Sequence, residues 1–156
     1  MNVYDNLERL QIALPPVATP AAAYQPFCIS AQMVYLSGHI AKKEGAPWVG
    51  QLGLTMNTEE GKAAAASVAI DLMGTLHAAC QSVGKDLNAV KKIVKVTSLV
   101  NSTPEFTQQH LVTNGCSELL AEVFQSKGLH ARSAFGVAQL PLGACVEIEM
   151  IVELNP

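Results

Sequence analysis

Apolar residues in this chain recur with two different periods, and the switches between them divide it into elements. Over residues 58–83, Ala64, Val68, Leu72, Leu76, Ala79 and Val83 return about every fourth position. That is the stripe of an amphipathic helix. Asn57 with Glu60 three residues on forms a capping-box pattern at its start, and Gly84 suits its end. The small residues Ala63–Ala66 predict close packing of this helix on a sheet. A second helix is expected over 105–127, with Leu119, Leu120, Val123 and Phe124 as its stripe, Gly115 as a weak point and Gly128 as its end. A short amphipathic helix is expected within 2–12, carried by Val3, Leu7, Leu10 and Ile12. After it, A-L-P-P-V-A-T-P-A-A-A-Y is proline-rich and reads as an extended connector.

Elsewhere the pattern is that of strands. Residues 25–31 and 33–40 read as a first hairpin turning at Ala31-Gln32. Residues 42–53 are rich in Gly and Pro and read as a loop, with room for one short strand at Trp48-Val49. Residues 89–100 are β-branched and apolar on both faces, which predicts a central strand. The last 25 residues, from His130, read as a C-terminal hairpin with its loop at 139–142. Opposed residues of a hairpin share a face. This register pairs Val137/Ala144, Phe135/Val146, Ser133/Ile148 and Ala131/Met150 on the core side. Arg132 then lies diagonal to Glu147 on the other side, about 7 Å away between backbones. Between Arg132 and the turn that side carries only Ala134, Gly136 and Ala138. This describes either a shallow pocket with a charged wall or an exposed face with ordinary cross-strand ion pairs.

The order ββ(β)-α-β-α-ββ predicts an α+β sandwich: a mixed sheet with two main helices on one face. A length of 156 residues suits one domain, able to bury a core without a metal or disulfide staple. Residues 1–20 then form an N-terminal extension of that single domain. Charged residues are only 15% of the chain against 49% apolar, a lean surface that points to an oligomer. The net charge of −3 argues against nucleic acid as a partner. The N-terminus lacks a basic and apolar leader, and the apolar runs read as too short to span a membrane. Cys28, Cys80, Cys116 and Cys145 are scattered, without metal-ligand spacing, and read as core thiols in a reducing, cytoplasmic setting.

No nucleophile elbow, zinc-protease motif, phosphate loop or dinucleotide fingerprint is present. The histidines His39, His77, His110 and His130 are dispersed. His39, after Gly38 at a strand end, is the one best placed for chemistry, and His77 reads as a helix-face residue. Lys91, Lys92 and Lys95 read as a solvated strand end, and Tyr24 and Trp48 as packing anchors.

V-Y-L-S-G-H-I (34–40), I-V-K-V-T-S-L-V (93–100) and above all A-R-S-A-F-G-V-A-Q-L-P-L-G-A-C-V-E-I-E-M-I (131–151) resemble the Rid family, also called YjgF/YER057c or L-PSP. The resemblance covers about residues 20 to 153. It implies a chorismate-mutase-like fold with a six-stranded mixed sheet, and a homotrimer with ligand clefts between subunits. For RidA-type members it implies hydrolysis of enamine/imine intermediates to 2-oxo acids and ammonia, with no metal or organic cofactor. By position, Arg132 matches the arginine that grips the substrate carboxylate, and Glu147 the glutamate that orients the attacking water. Tyr24, Ser37 and Gly38 match cleft residues. The longer N-terminus, the longer second-helix region and S-G-H in place of S-G-Q mark a divergent branch. The alternative functions are a non-catalytic trimer that binds a small carboxylate and, as a third reading, an endoribonuclease or translation inhibitor.

Overall fold

The computed structural model describes residues 2–17 and 22–156. The stretch 18–21 of the proline-rich connector lies outside the described residues. Helix α1 (Val3–Arg9) is capped by Asn2, whose side chain accepts from the Tyr4 and Asp5 backbone while Asp5 reaches back. Val3 and Leu7 bury its inner face. The chain then runs past α2 (Thr58–Ser82), with Pro15 lying against Gly74. The capping box of Asn57 and Glu60 forms as expected, and Gly84 takes the positive φ that ends this helix.

Helix α2 is long and apolar enough to cross a membrane by length and composition, contrary to the expectation that the apolar runs are too short. Yet 61% of its most apolar window is buried inside the fold. It is the core helix, with Ala64, Val68, Leu72, Met73 and Leu76 fully enclosed. Helix α3 (Gln109–Phe124) packs beside it and continues as a short 3-10 turn to Gly128. It is shorter than the predicted 105–127 because residues 103–108 turn back before it.

The main sheet has strands β1 (Phe27–Ser30), β2 (Met33–Ile40), β5 (Val90–Asn101), β6 (Ala131–Val137) and β7 (Val146–Leu154), in the order β1-β2-β7-β5-β6. The first hairpin is present, with Ala31 at φ 51 in its turn. The strands β3 (Lys42–Lys43) and β4 (Ala46–Pro47) form a separate small ribbon, so the main sheet has five strands rather than six. Trp48 is partly buried against the core beyond this ribbon, and Lys43 lies 5.0 Å over its ring.

The expected C-terminal hairpin is absent. β6 and β7 do not pair; β5 separates them, parallel to β6 and antiparallel to β7. β7 is thereby the central strand, also antiparallel to β2. The segment 138–145 leaves β6, passes through a 3-10 turn with Leu142 at φ 59, and crosses to the middle of the sheet. Both helices cover one face, where Val96, Val100, Val146, Ile148, Met150 and Val152 are buried. The other face is open, and Tyr35 and Phe135 on it are 45% and 46% exposed.

Candidate functional site

The topology separates the two residues that the hairpin register had joined. β6 is in parallel register with β5, so Arg132 pairs with the core-facing Val96, and Phe135 pairs with Leu99. Arg132 therefore lies on the helix side of the sheet. Leu99 also pairs with Glu147, which places Glu147 on the open side in one row with Leu99 and Phe135. Within one chain Arg132 and Glu147 are on opposite faces, not diagonal neighbours.

Arg132 is held against α3. Its Nη1 donates to Asn114 Oδ1 at 2.8 Å and to Ser117 Oγ at 3.2 Å, and its Nη2 donates to the His110 carbonyl at 3.3 Å. His110, Asn114 and Ser117 are spaced i, i+4, i+7 on the helix. That polar stripe at helical spacing is legible in the sequence beside the apolar one. All three acceptors are neutral. Among the described residues no carboxylate forms an ion pair with Arg132. A guanidinium has five N–H donors, and three are spent here; Nε–H and one hydrogen of Nη2 are left. Those two hydrogens belong to adjacent nitrogens, the geometry that takes both oxygens of a carboxylate.

The other predicted residues gather at a second place. β2 carries a bulge between Leu36 and His39 where it pairs with β7. The extra residue re-aims the strand, so that Leu36 and His39 both face the helices. His39 Nδ1 donates to the Ser37 carbonyl at 2.6 Å, and Nε2 accepts from Thr75 Oγ1 of α2 at 2.7 Å. This clamps the bulge to the helix. Burial holds the imidazole below its ordinary pKa, against the opposing pull of the Ser37 carbonyl and Asp71. Ser37 is tied in turn to the segment before β1: its hydroxyl donates to the Gln25 carbonyl at 2.6 Å and its N–H to the Pro26 carbonyl at 2.9 Å. Tyr24, one residue earlier, is 59% exposed and so is not the packing anchor expected from its place after the connector.

Gly38 meets the Glu147 side chain so closely that a Cβ there would lie 2.5 Å from Oε1. The lack of a side chain at Gly38 is what lets the Glu147 carboxylate lie against the β2 backbone. Burial raises the Glu147 pKa above the usual glutamate value, and the like charge of Glu149 adds to this. Ser37, Gly38 and Glu147 thus form one cluster, with Tyr24 linked to it through Gln25, while Arg132 stands alone on the other face. Among the described residues no group of three or more His, Cys, Asp or Glu is poised to hold a metal.

The fold is an α+β sandwich, a mixed sheet with its helices on one face. A family model described as Endoribonuclease L-PSP matches residues 16–154, so the chain belongs to the L-PSP family, also known as YjgF or Rid. Protein TCP17 of Trypanosoma cruzi is 44% identical over 152 residues, spanning 96% of this chain and 92% of that one. The solved structure of Atu1372 from Agrobacterium tumefaciens, whose function is described as unknown, superposes with a TM-score of 0.87 at 35% identity, over 99% of this chain and 92% of that one. A Shewanella oneidensis structure described as a candidate endoribonuclease superposes with a TM-score of 0.91 at 25% identity, over 99% of this chain and 100% of that one. The family match begins after α1, whereas the Agrobacterium and Shewanella likenesses extend over nearly the whole chain.

Proposed function

We propose that this protein hydrolyses small 2-imino acids, or their enamine tautomers, to 2-oxo acids and ammonia. The observation that carries this reading is the half-satisfied guanidinium of Arg132. It is fixed by three neutral acceptors, and its remaining fork of two N–H groups has no counter-ion among the described residues. Such a fork selects a carboxylate and draws electron density from the adjoining C=N. Water adds to the imine carbon, its proton passes to a base, and the tetrahedral carbon expels ammonia as the carbonyl forms. Glu147, with its raised pKa and its place against Gly38, is suited to orient that water and take the proton.

The two half-sites meet between subunits in this reading. Arg132 is on β6, an edge strand with one unpaired side, and Glu147 is on the open, partly apolar face. Contacts that join two different surfaces of identical chains are head-to-tail, and they close into a ring where the rotation between copies closes. A homotrimer with Arg132 of one copy facing Glu147 of the next satisfies both conditions.

The assay supplies an imino acid freshly made by an amino-acid oxidase and follows 2-oxo acid release. Wild type is expected to exceed buffer and Arg132→Ala to match it. Co-expressed Arg132→Ala and Glu147→Gln chains should regain about a quarter of the wild-type rate, because random mixing restores a complete pair at that share of interfaces. Mixed assemblies as inactive as either parent would refute the shared site. The separation of Arg132 and Glu147 within one chain favours a second reading, a carboxylate-binding trimer without turnover. Arg132-dependent binding of a 2-oxo acid, with no hydrolysis above buffer, would establish that reading instead.

A further inference from the structure

His130 lies two residues before Arg132, at the entry to β6, and its ring has one consistent set of partners. Nδ1 is 2.6 Å from the Gly128 carbonyl, which can only accept, so Nδ1 carries the proton. The Nε2 lone pair then accepts from the Ser117 hydroxyl at 2.9 Å. Ser117 Oγ in turn accepts from Arg132 Nη1. The result is a directed chain from Arg132 N–H through Ser117 O–H to His130, in which each donor fixes the lone pair that serves the previous one. Asn114 occupies the other Nη1 hydrogen.

We propose that His130, acting through Ser117, is a positioning residue for Arg132: it turns the guanidinium so that its Nε–H and one Nη2–H face outward for a carboxylate, and carboxylate occupancy draws a proton onto the imidazole. This rests on the reading of Arg132 as a carboxylate anchor.

The surroundings of the ring support the coupling. From its own strand it faces Arg132. From β5 it faces Lys92, whose ammonium reaches the Ser126 carbonyl at 3.4 Å. Lys127, in the turn after α3, donates to the Asn88 carbonyl instead. From α3 the neutral Ser117 meets the ring; Asn114 and the Cys116 thiol, the latter pushed up to about 12 by burial, lie by the guanidinium instead. Among the described residues no carboxylate forms an ion pair with the ring. Burial, then Arg132 and Lys92, hold His130 below its ordinary value, against the Gly128 carbonyl. A carboxylate on Arg132 cancels the nearest of those charges and makes the imidazolium easier to form. Nε2–H then donates to Ser117 Oγ, which keeps a lone pair for Arg132, so the anchor stays in place. By linkage, binding takes up protons in the window just above the depressed value of the free protein, and affinity rises as pH falls through it.

The test is calorimetric titration of the intact protein with pyruvate between about pH 5.5 and 8, in buffers of different ionisation enthalpy. Wild type should take up a fraction of a proton on binding and bind about threefold or more tighter at the acidic end. His130→Gln keeps an acceptor for Ser117 but does not titrate in this range. It should bind pyruvate nearly as wild type does at pH 8 and lose the His130 share of uptake. His130→Ala should weaken binding about tenfold by freeing Ser117 and the guanidinium. The wild-type/Gln comparison holds the titration of Glu147 constant. Uptake and pH dependence unchanged in His130→Gln would overturn the coupling and leave the Arg132 anchor standing. A folded wild type that does not bind pyruvate would remove the anchor and this inference with it.

Discussion

Gly38→Ala separates the placement of Glu147 from the stability of the fold. An alanine Cβ at this position would lie 2.5 Å from Glu147 Oε1, 3.1 Å from Cδ and 3.2 Å from Cγ. Ordinary contact distances of about 3.5 Å require the carboxylate to retreat by about 1 Å. The atoms that must move are the far end of a flexible side chain, with the open face of the sheet before them. Gly38 does not use a positive φ, so alanine fits its backbone conformation. The loss of unfolded-chain entropy stabilises by about 0.4–1 kcal/mol and offsets much of the local crowding. Net stability should therefore change by less than about 1 kcal/mol, a shift in Tm of no more than about 4 °C for a domain this size. Activity should respond far more, because a 1 Å displacement of a water-orienting group can cost about a hundredfold. The measurement pairs thermal unfolding with 2-oxo acid release from an imino acid. A variant that keeps both Tm and kcat, while a structure shows Glu147 displaced, would refute the assignment of Glu147 to the chemistry. A fall in Tm of ten degrees or so would instead show that Gly38 serves the fold.

Other expectations follow from particular contacts. Burial raises the Glu147 pKa above the usual glutamate value and the proposed role requires its carboxylate, so kcat/KM should decline as pH falls through that raised value; an acidic limb that survives in the residual activity of Glu147→Gln would belong to another group. At Gly115 a Cβ would fall on the carbonyl oxygen of Lys62, and backbone at the crossing of α2 and α3 cannot yield as a side chain does. Gly115→Ala should destabilise by about 3 kcal/mol, lowering Tm by roughly 6–12 °C, and an unchanged melting curve would contradict the close helix approach. Cys80, Cys116 and Cys145 are buried with pKa values raised to about 11, 12 and 11, whereas Cys28 is exposed. A thiol reagent at mildly alkaline pH should modify at most one cysteine per native chain, and all four after denaturation.

Much of this protein was determined by short-range pattern. The four-residue period of Ala64, Val68, Leu72 and Leu76, with Asn57 and Glu60 before it and Gly84 after it, sets α2 to within a residue, because helix periodicity and caps are local properties. The first hairpin is legible for the same reason: a four-residue and an eight-residue strand meet across a two-residue turn. The L-P-x(4)-V-E-I-E run and the A-R-S before it mark the family, since they carry particular residues and not only alternation.

Tertiary structure alone decided which strands are neighbours, and with that which face each candidate residue occupies. Alternation along β7 rightly puts Val146, Ile148 and Met150 inward and Glu147 outward. Along β6 the same reasoning puts Phe135 inward and Arg132 outward, and the structure reverses both. Alternation defines two faces, but the side that becomes the core depends on the partner strand and the covering helix. β6 pairs in parallel with β5 at the sheet edge, where α3 offers Asn114, Ser117 and the His110 carbonyl to a long cation. Those acceptors take three of its N–H donors where an apolar cover could take none. Sequence thus named Arg132 and Glu147, and the non-local pairing of β6 with β5 placed them on opposite faces of one sheet.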